Sequence, residues 1–188
     1  MRNDKTDKLV FLYDKGKLSP LGQLGKKINA NTIYKNLLDK DAKEAKGIIN
    51  PLTFRNYVRN KGKWDLKKDK NSIFGLGNDG NTKFLFQGKE YTSPDLGNHH
   101  FGVVGKAYGL FSETFMLQQA GAAQIKAGTS LPEWQRYKVT TTYETDGEGP
   151  SIKVTHYEML PPYGDDPEDQ ELIKEGFKYY EDMKKQHP

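Results

Sequence analysis

A chain of 188 residues has the length of one ordinary domain, or of a domain with an extension, and can bury a substantial core. Its hydrophobic fraction of 35% is low and its charged fraction of 29% high, yet 11 Tyr and 9 Phe supply packing mass that a disordered chain lacks. The absence of cysteine excludes disulfides, thiolate metal sites and a cysteine nucleophile, while a formal charge of +4 permits a polyanionic partner without demanding one.

No apolar run approaches the length of a membrane span. The start, Met1-Arg2-Asn3-Asp4-Lys5, lacks the apolar core of a signal peptide, so export would depend on a separate carrier. Residues 1–27 are rich in Lys, Gly and Asp, and their one apolar patch, Leu9 to Tyr13, reads as an edge strand or a linker. From Ile28 to Lys46, Ile28, Ile33, Leu37 and Leu38 recur at roughly helical spacing, with Gly47 as the stop. A second helix follows Asn50-Pro51, with Leu52, Phe54, Tyr57 and Val58 inward and Gly62 at its end. Residues 1–49 are thus an extension and helix leading into a domain over residues 50–188.

Ile73 to Tyr91 reads as a hairpin turning at Asn78 to Asn81, with Lys83 to Phe86 as a strand. Phe101 to Ala127 should be helical in two parts, with Gly109 closing the first and Ser112 capping the second. Tyr137 to Tyr143 faces Ile152 to Tyr157 across a Gly-rich turn at residues 146–150, and a last helix runs from Pro167 to Lys185. The expected class is α+β: a mostly helical single domain with one or two β-hairpins.

Three stretches can carry chemistry. Asp95-Leu96-Gly97-Asn98-His99-His100-Phe101-Gly102 gathers a carboxylate, an amide and two imidazoles, the side chain whose ordinary pKa lies near neutrality. The plain reading is a strand-to-helix turn with Asn98 as N-cap and Gly97 free to approach a phosphate. The sharper one makes His100 a general acid or base held by Asp95, since adjacent histidines cannot both face one site. Zinc would require histidines at i, i+4 or cysteine partners, and neither occurs. Gly102, Gly105 and Gly109 fall at i, i+3 and i+7, a bare stripe suited to close helix packing.

In Gly164 to Gln170, Asp166 serves as N-cap, Pro167 takes the first helical position, and Glu168 and Asp169 complement the helix dipole. Capping does not require Asp165, and with Asp166 and Asp169 it could hold a divalent cation, although no cofactor is otherwise called for. In Lys61-Gly62-Lys63-Trp64-Asp65-Leu66-Lys67-Lys68, lysines around a tryptophan suit RNA, with Trp64 stacking on a base and the lysines on phosphates. A basic loop with Trp64 anchored in the core is equally ordinary.

Taken in order, the Lys61 to Lys67 block, the Asp95 to Gly102 block, Gly121-Ala122-Ala123-Gln124, and Tyr163 to Gln170 with Gly176-Phe177-Lys178-Tyr179-Tyr180 resemble the polymorphic toxin type 44 family over about residues 50 to 183. Asp65, Asp95, Asn98, His100, Gln124, Asp165, Asp166 and Asp169 match the family pattern, while His99 occupies a slot that is usually aromatic or aliphatic. The resemblance implies a bacterial toxin module at the carboxyl end of a large secreted carrier, delivered into target bacteria and paired with an immunity protein, its reaction labelled a ribonuclease.

The first expectation is therefore an antibacterial nuclease: His100 works with Asp95, assisted by Asp65 and Asp165, while Asn98, Lys61, Lys63, Trp64, Lys67, Lys68 and Gln124 bind substrate. A peptidoglycan hydrolase would divide acid and base roles between two of Asp65, Asp95, Asp165 and Asp169. A non-enzymatic binding module is the third class. Convergence of Asp65, Asp95, His100 and Asp165 on one cleft would favour a single site.

Overall fold

A computed structural model describes residues 8–145, 147 and 150–186. The start at Met1 to Lys5 and most of the expected turn at 146–150 lie outside the described residues. Contacts divide the chain into two units: residues through Glu113 together with Leu172 onward, and Thr114–Glu171.

The first unit carries a five-stranded sheet in sequential order, β1 (Leu9–Asp14), β2 (Lys17–Gln23), β3 (Lys27–Asn29), β4 (Lys83–Phe86) and β5 (Lys89–Tyr91). β1 and β2 form a hairpin across Lys15-Gly16, both with positive φ. β3 runs parallel to β4 with Ile28 opposite Phe84, and β5 returns antiparallel after Gln87-Gly88, whose φ of 49° and 81° suit a tight primed turn. The parallel pair requires a long crossover, supplied by α1 (Asn31–Lys46), α2 (Pro51–Val58) and the single turn α3 (Ile73–Leu76).

Helix α4 (Ser93–Tyr108) is set by its sequence at both ends. The Thr92 hydroxyl accepts the Asp95 N–H, the Asp95 carboxylate accepts the Thr92 N–H at 2.7 Å, and Pro94 fits the first turn. Gly109 ends it in the left-handed region at φ 74°. The long closing helix α6 (Pro167–Gln186) crosses α4 backbone to backbone. A Cβ at Gly102 would meet the Ile173 carbonyl and stand 3.0 Å from the Gly176 Cα, and one at Gly176 would meet the His99 carbonyl. Tyr34, Leu38, Phe84, Leu96, Val103 and Ile173 form the fully buried centre of this unit.

The second unit holds most of α5 (Glu113–Lys126), a hairpin of β6 (Tyr137–Glu144) and β7 (Ile152–Met159), and the loop that opens α6. The hairpin pairs from Tyr137 opposite Met159 to Glu144 opposite Ile152. Gly121 of α5 lies against the Tyr163 backbone, where a Cβ would strike the carbonyl.

The α+β class holds, with more strand than the sequence suggested. Residues 9–29 supply three strands, and Leu9 to Tyr13 is an edge strand. The hairpin expected over Ile73 to Tyr91 is corrected. Ser72 caps a helical turn instead, Asp79 closes the next loop by accepting the Asn81 and Thr82 N–H groups, and the hairpin turns at Gln87-Gly88. The helix after Pro51 stops at Val58, before Gly62.

Candidate active site

The expected strand-to-helix turn at Asp95 to Gly102 is likewise corrected, because the run lies inside α4, which starts after Thr92. Gly97 is a helix-interior residue and Asn98 is no cap. A helical setting turns the two histidines about 100° apart, so they enter different environments.

His100 faces α1. Its Nε2 lies 2.9 Å from Asp41 Oδ2, with the two residues 1% and 2% exposed. A carboxylate only accepts, so Nε2 donates and Nδ1 is left as the second working nitrogen. The Trp64 indole meets the imidazole edge-on at 6.0 Å between ring centres and also packs on Phe54 and Tyr57. Its Nε1 is buried without a hydrogen-bond partner among the described residues. The carboxylate bonded to His100 is that of Asp41 and not, as expected, that of Asp95, which accepts the Thr92 N–H in the capping box.

His99 faces the sheet, among Tyr34, Phe86, Tyr91 and Tyr179. The Tyr34 hydroxyl has one proton and donates it to the Leu96 carbonyl at 2.8 Å, so it accepts from Nδ1–H of His99 at 3.0 Å. Burial, aided by the charges of His100 and Lys89, pushes the His99 imidazole down to about 4. His99 is a neutral core residue.

The loop that carries Trp64 also forms a cleft of about 310 Å³ lined by Lys61, Gly62, Lys63, Asp65, Lys68 and Asp69. Asp65 shapes it by accepting the Lys61 N–H at 2.7 Å, and Lys61 has a left-handed φ of 59°. Lys63 is ion-paired with Glu44, one turn after Asp41 on α1, and lies over the Tyr57 ring at 4.8 Å. Its hydrogen bond to Glu44 raises its pKa against the opposing effect of burial, and the charges of Glu44 and Asp41 add to the rise. Lys67 is exposed and outside the lining, with its carbonyl accepting from Asn78. Trp64 lies in sequence between two residues that line this cleft but is itself buried and outside the lining, so it offers no open stacking platform.

Asp165 and Gln124 belong to the second unit. Asp165 is buried, its Oδ2 accepts from Gln170 Nε2 at 2.7 Å, and the same amide donates to the Leu117 carbonyl. Burial raises its carboxyl pKa, partly offset by the Gln170 and Asp166 hydrogen bonds. Asp166 caps α6 as expected, accepting the Glu168 N–H at 2.8 Å. Gln124 is half-buried and its carbonyl accepts from Thr129. Among the described residues no group of three or more His, Asp or Glu is placed to hold a metal ion.

Asp41 and Tyr34 escaped the sequence reading, although a signal existed. A stripe drawn through Tyr34, Leu38, Ala42 and Ala45 has helical spacing, and Asp41 falls on it as a carboxylate that must find a buried partner.

The family model for bacterial toxin 44 matches residues 53–182, which include Trp64, His100 and Asp165 but not Asp41. No curated protein and no solved structure matches the chain.

Proposed function

This chain belongs to the bacterial toxin 44 family, and from that premise we propose that it is a toxin effector that cleaves RNA by acid/base chemistry at His100. The observation that carries this reading is the buried Asp41–His100 pair packed on Trp64, whose chain neighbours Lys63 and Asp65 line a cleft together with Lys61, Lys68 and Asp69. Lysines in a cleft attract a phosphodiester and offset the charge of its transition state. Asp41 fixes the imidazole so that Nδ1 can take the proton of a ribose 2′-hydroxyl as that oxygen attacks phosphorus. The P–O5′ bond breaks and the 5′-oxygen leaves with a proton from water, giving a 2′,3′-cyclic phosphate. His100 is buried against Trp64, so substrate gains access by displacing that indole. Delivery from a larger secreted carrier and restraint by a cognate immunity protein complete the proposal.

The test is incubation of the purified chain with cellular RNA, once with chelator and once with magnesium, which also tests a cation at Asp165, Asp166 and Asp169. RNA ending in cyclic phosphate, lost in a folded His100→Gln variant, is expected. RNA that stays intact in both conditions while the chain poisons cells refutes the reading.

One observation favours a glycan-strand hydrolase as second reading: Asp165 is buried, and burial raises its carboxyl pKa, the direction a carboxylic general acid needs. Toxicity only on direction to the periplasm, abolished by Asp165→Asn, would select it; toxicity in the cytosol selects the nuclease.

A further inference from the structure

The hairpin of the second unit is unfinished as a sheet. Among the described residues β6 pairs only with β7, and seven of its eight residues are exposed. One face presents Tyr137, Val139 and Tyr143 of β6 and Tyr157 of β7, which are 48%, 57%, 71% and 69% exposed. Isolated two-stranded sheets are marginal in water, and an open edge beside an apolar face is a template for another strand.

The sequence of β6 says which strand fits. Lys138-Val139-Thr140-Thr141-Thr142-Tyr143-Glu144 is chemically palindromic: a cation and an anion at its ends, an apolar residue inside each, and threonines at the centre. Antiparallel pairing with an identical strand about a two-fold axis at Thr141 sets Lys138 opposite Glu144 of the second copy, Val139 opposite Tyr143, and Thr140 opposite Thr142. The two members of each pair share a face, because each pair joins residues of the same parity. Opposite charges, apolar partners and threonines are favourable cross-strand neighbours, and two-fold symmetry makes each contact twice. Among the described residues of its own hairpin, Glu144 has loose neighbours in His156 at 3.6 Å and the Thr142 hydroxyl at 3.4 Å.

We propose that the free edge of β6 is a homodimer interface, on which a second copy of this chain adds its own β6 to build a continuous four-stranded antiparallel sheet. The aromatic stripes of the two hairpins then join into one face.

The register gives a charge-swap test on the full chain by sedimentation or light scattering. Wild type should double its mass from 21.4 kDa as concentration rises through the micromolar range. Lys138→Glu and Glu144→Lys should each stay monomeric, because each sets like charges opposite one another twice. An equimolar mixture of the two variants should recover the doubled mass, since opposite charges then meet again at both ends of the paired strands. That mixture keeps the test sound where Lys138→Glu also meets Glu158 across its own hairpin. A wild type that stays monomeric into the millimolar range overturns the proposal and leaves the edge to a strand of another protein. Single variants that dimerise like wild type, or a mixture that stays monomeric, overturn it as well.

Discussion

Nε2 of His100 and Oδ2 of Asp41, 2.9 Å apart and 59 residues apart in sequence, join α4 to α1 at a point without solvent. Asp41→Asn keeps an acceptor of the same shape but loses the carboxylate that selects the proton position. RNA cleavage should fall roughly 10²–10⁴-fold while the melting temperature moves by only a few degrees. Full activity in a folded Asp41→Asn protein would reduce the pair to a structural contact.

His99 should make the fold acid-sensitive. Its folded pKa of about 4 is below the ordinary 6.5, so the unfolded chain binds a proton that the folded chain refuses. The stabilisation is complete above the unfolded value, falls as pH drops from 6.5 to 4, and levels off below; the difference is roughly 3 kcal/mol. His99→Phe keeps a ring among Tyr34, Phe86 and Tyr179 and should flatten this part of a stability-against-pH curve. Parallel curves for variant and wild type would show that His99 does not titrate on unfolding.

Three glycines separate packing from propensity. Gly102→Ala and Gly176→Ala each drive a methyl into backbone of the facing helix, and unfolding titrations should show losses of about 2 kcal/mol or more. Gly97→Ala on the same helix as Gly102 meets nothing within 4 Å and should gain about 0.5–1 kcal/mol. Equal effects at all three would contradict the close approach of α4 and α6.

Burial raises the Asp165 carboxyl pKa, so charging it opposes folding. The stability this group contributes is present below its unfolded pKa and lost as pH rises through the folded one. Asp165→Asn still accepts from Gln170 and escapes that loss. Thermal melts from about pH 3 to 7 should show the variant gaining on wild type as pH rises. A constant gap across the series would be inconsistent with a buried charge.

If the lysine cleft holds phosphates, RNA affinity should weaken with salt. Lys61→Ala and Lys68→Ala should each lower the logarithmic salt slope by about one unit. Lys67→Ala, outside the lining, should change it less. Identical slopes for all three would place the RNA elsewhere.

Elements whose signals are local were legible in the sequence. Asn50-Pro51, Gly109 and Asp166-Pro167 mark helix ends because a cap or a positive φ acts within a few residues. The alternating β6 and β7 strands declared themselves in the same way. The start of α4 was missed because Thr92 and Asp95 make their capping box upstream of Asn98, in what resembles the tail of a strand. At the site, His100 and the lysine run were legible as residue types. Asp41 was not, since its meaning comes from a pairing across 59 positions that no local pattern encodes.

The capping box also fixes a phase. Because Thr92 and Asp95 determine where α4 begins, they determine which imidazole looks at the sheet and which at α1. A one-residue insertion between Asp95 and His99 would rotate the rest of the helix by about 100°. His99 would then be offered to Asp41 in place of His100, and Gly102 would turn away from Gly176. The few residues of this helix start thus act as the index mark by which two neighbouring histidines of identical chemistry receive opposite duties.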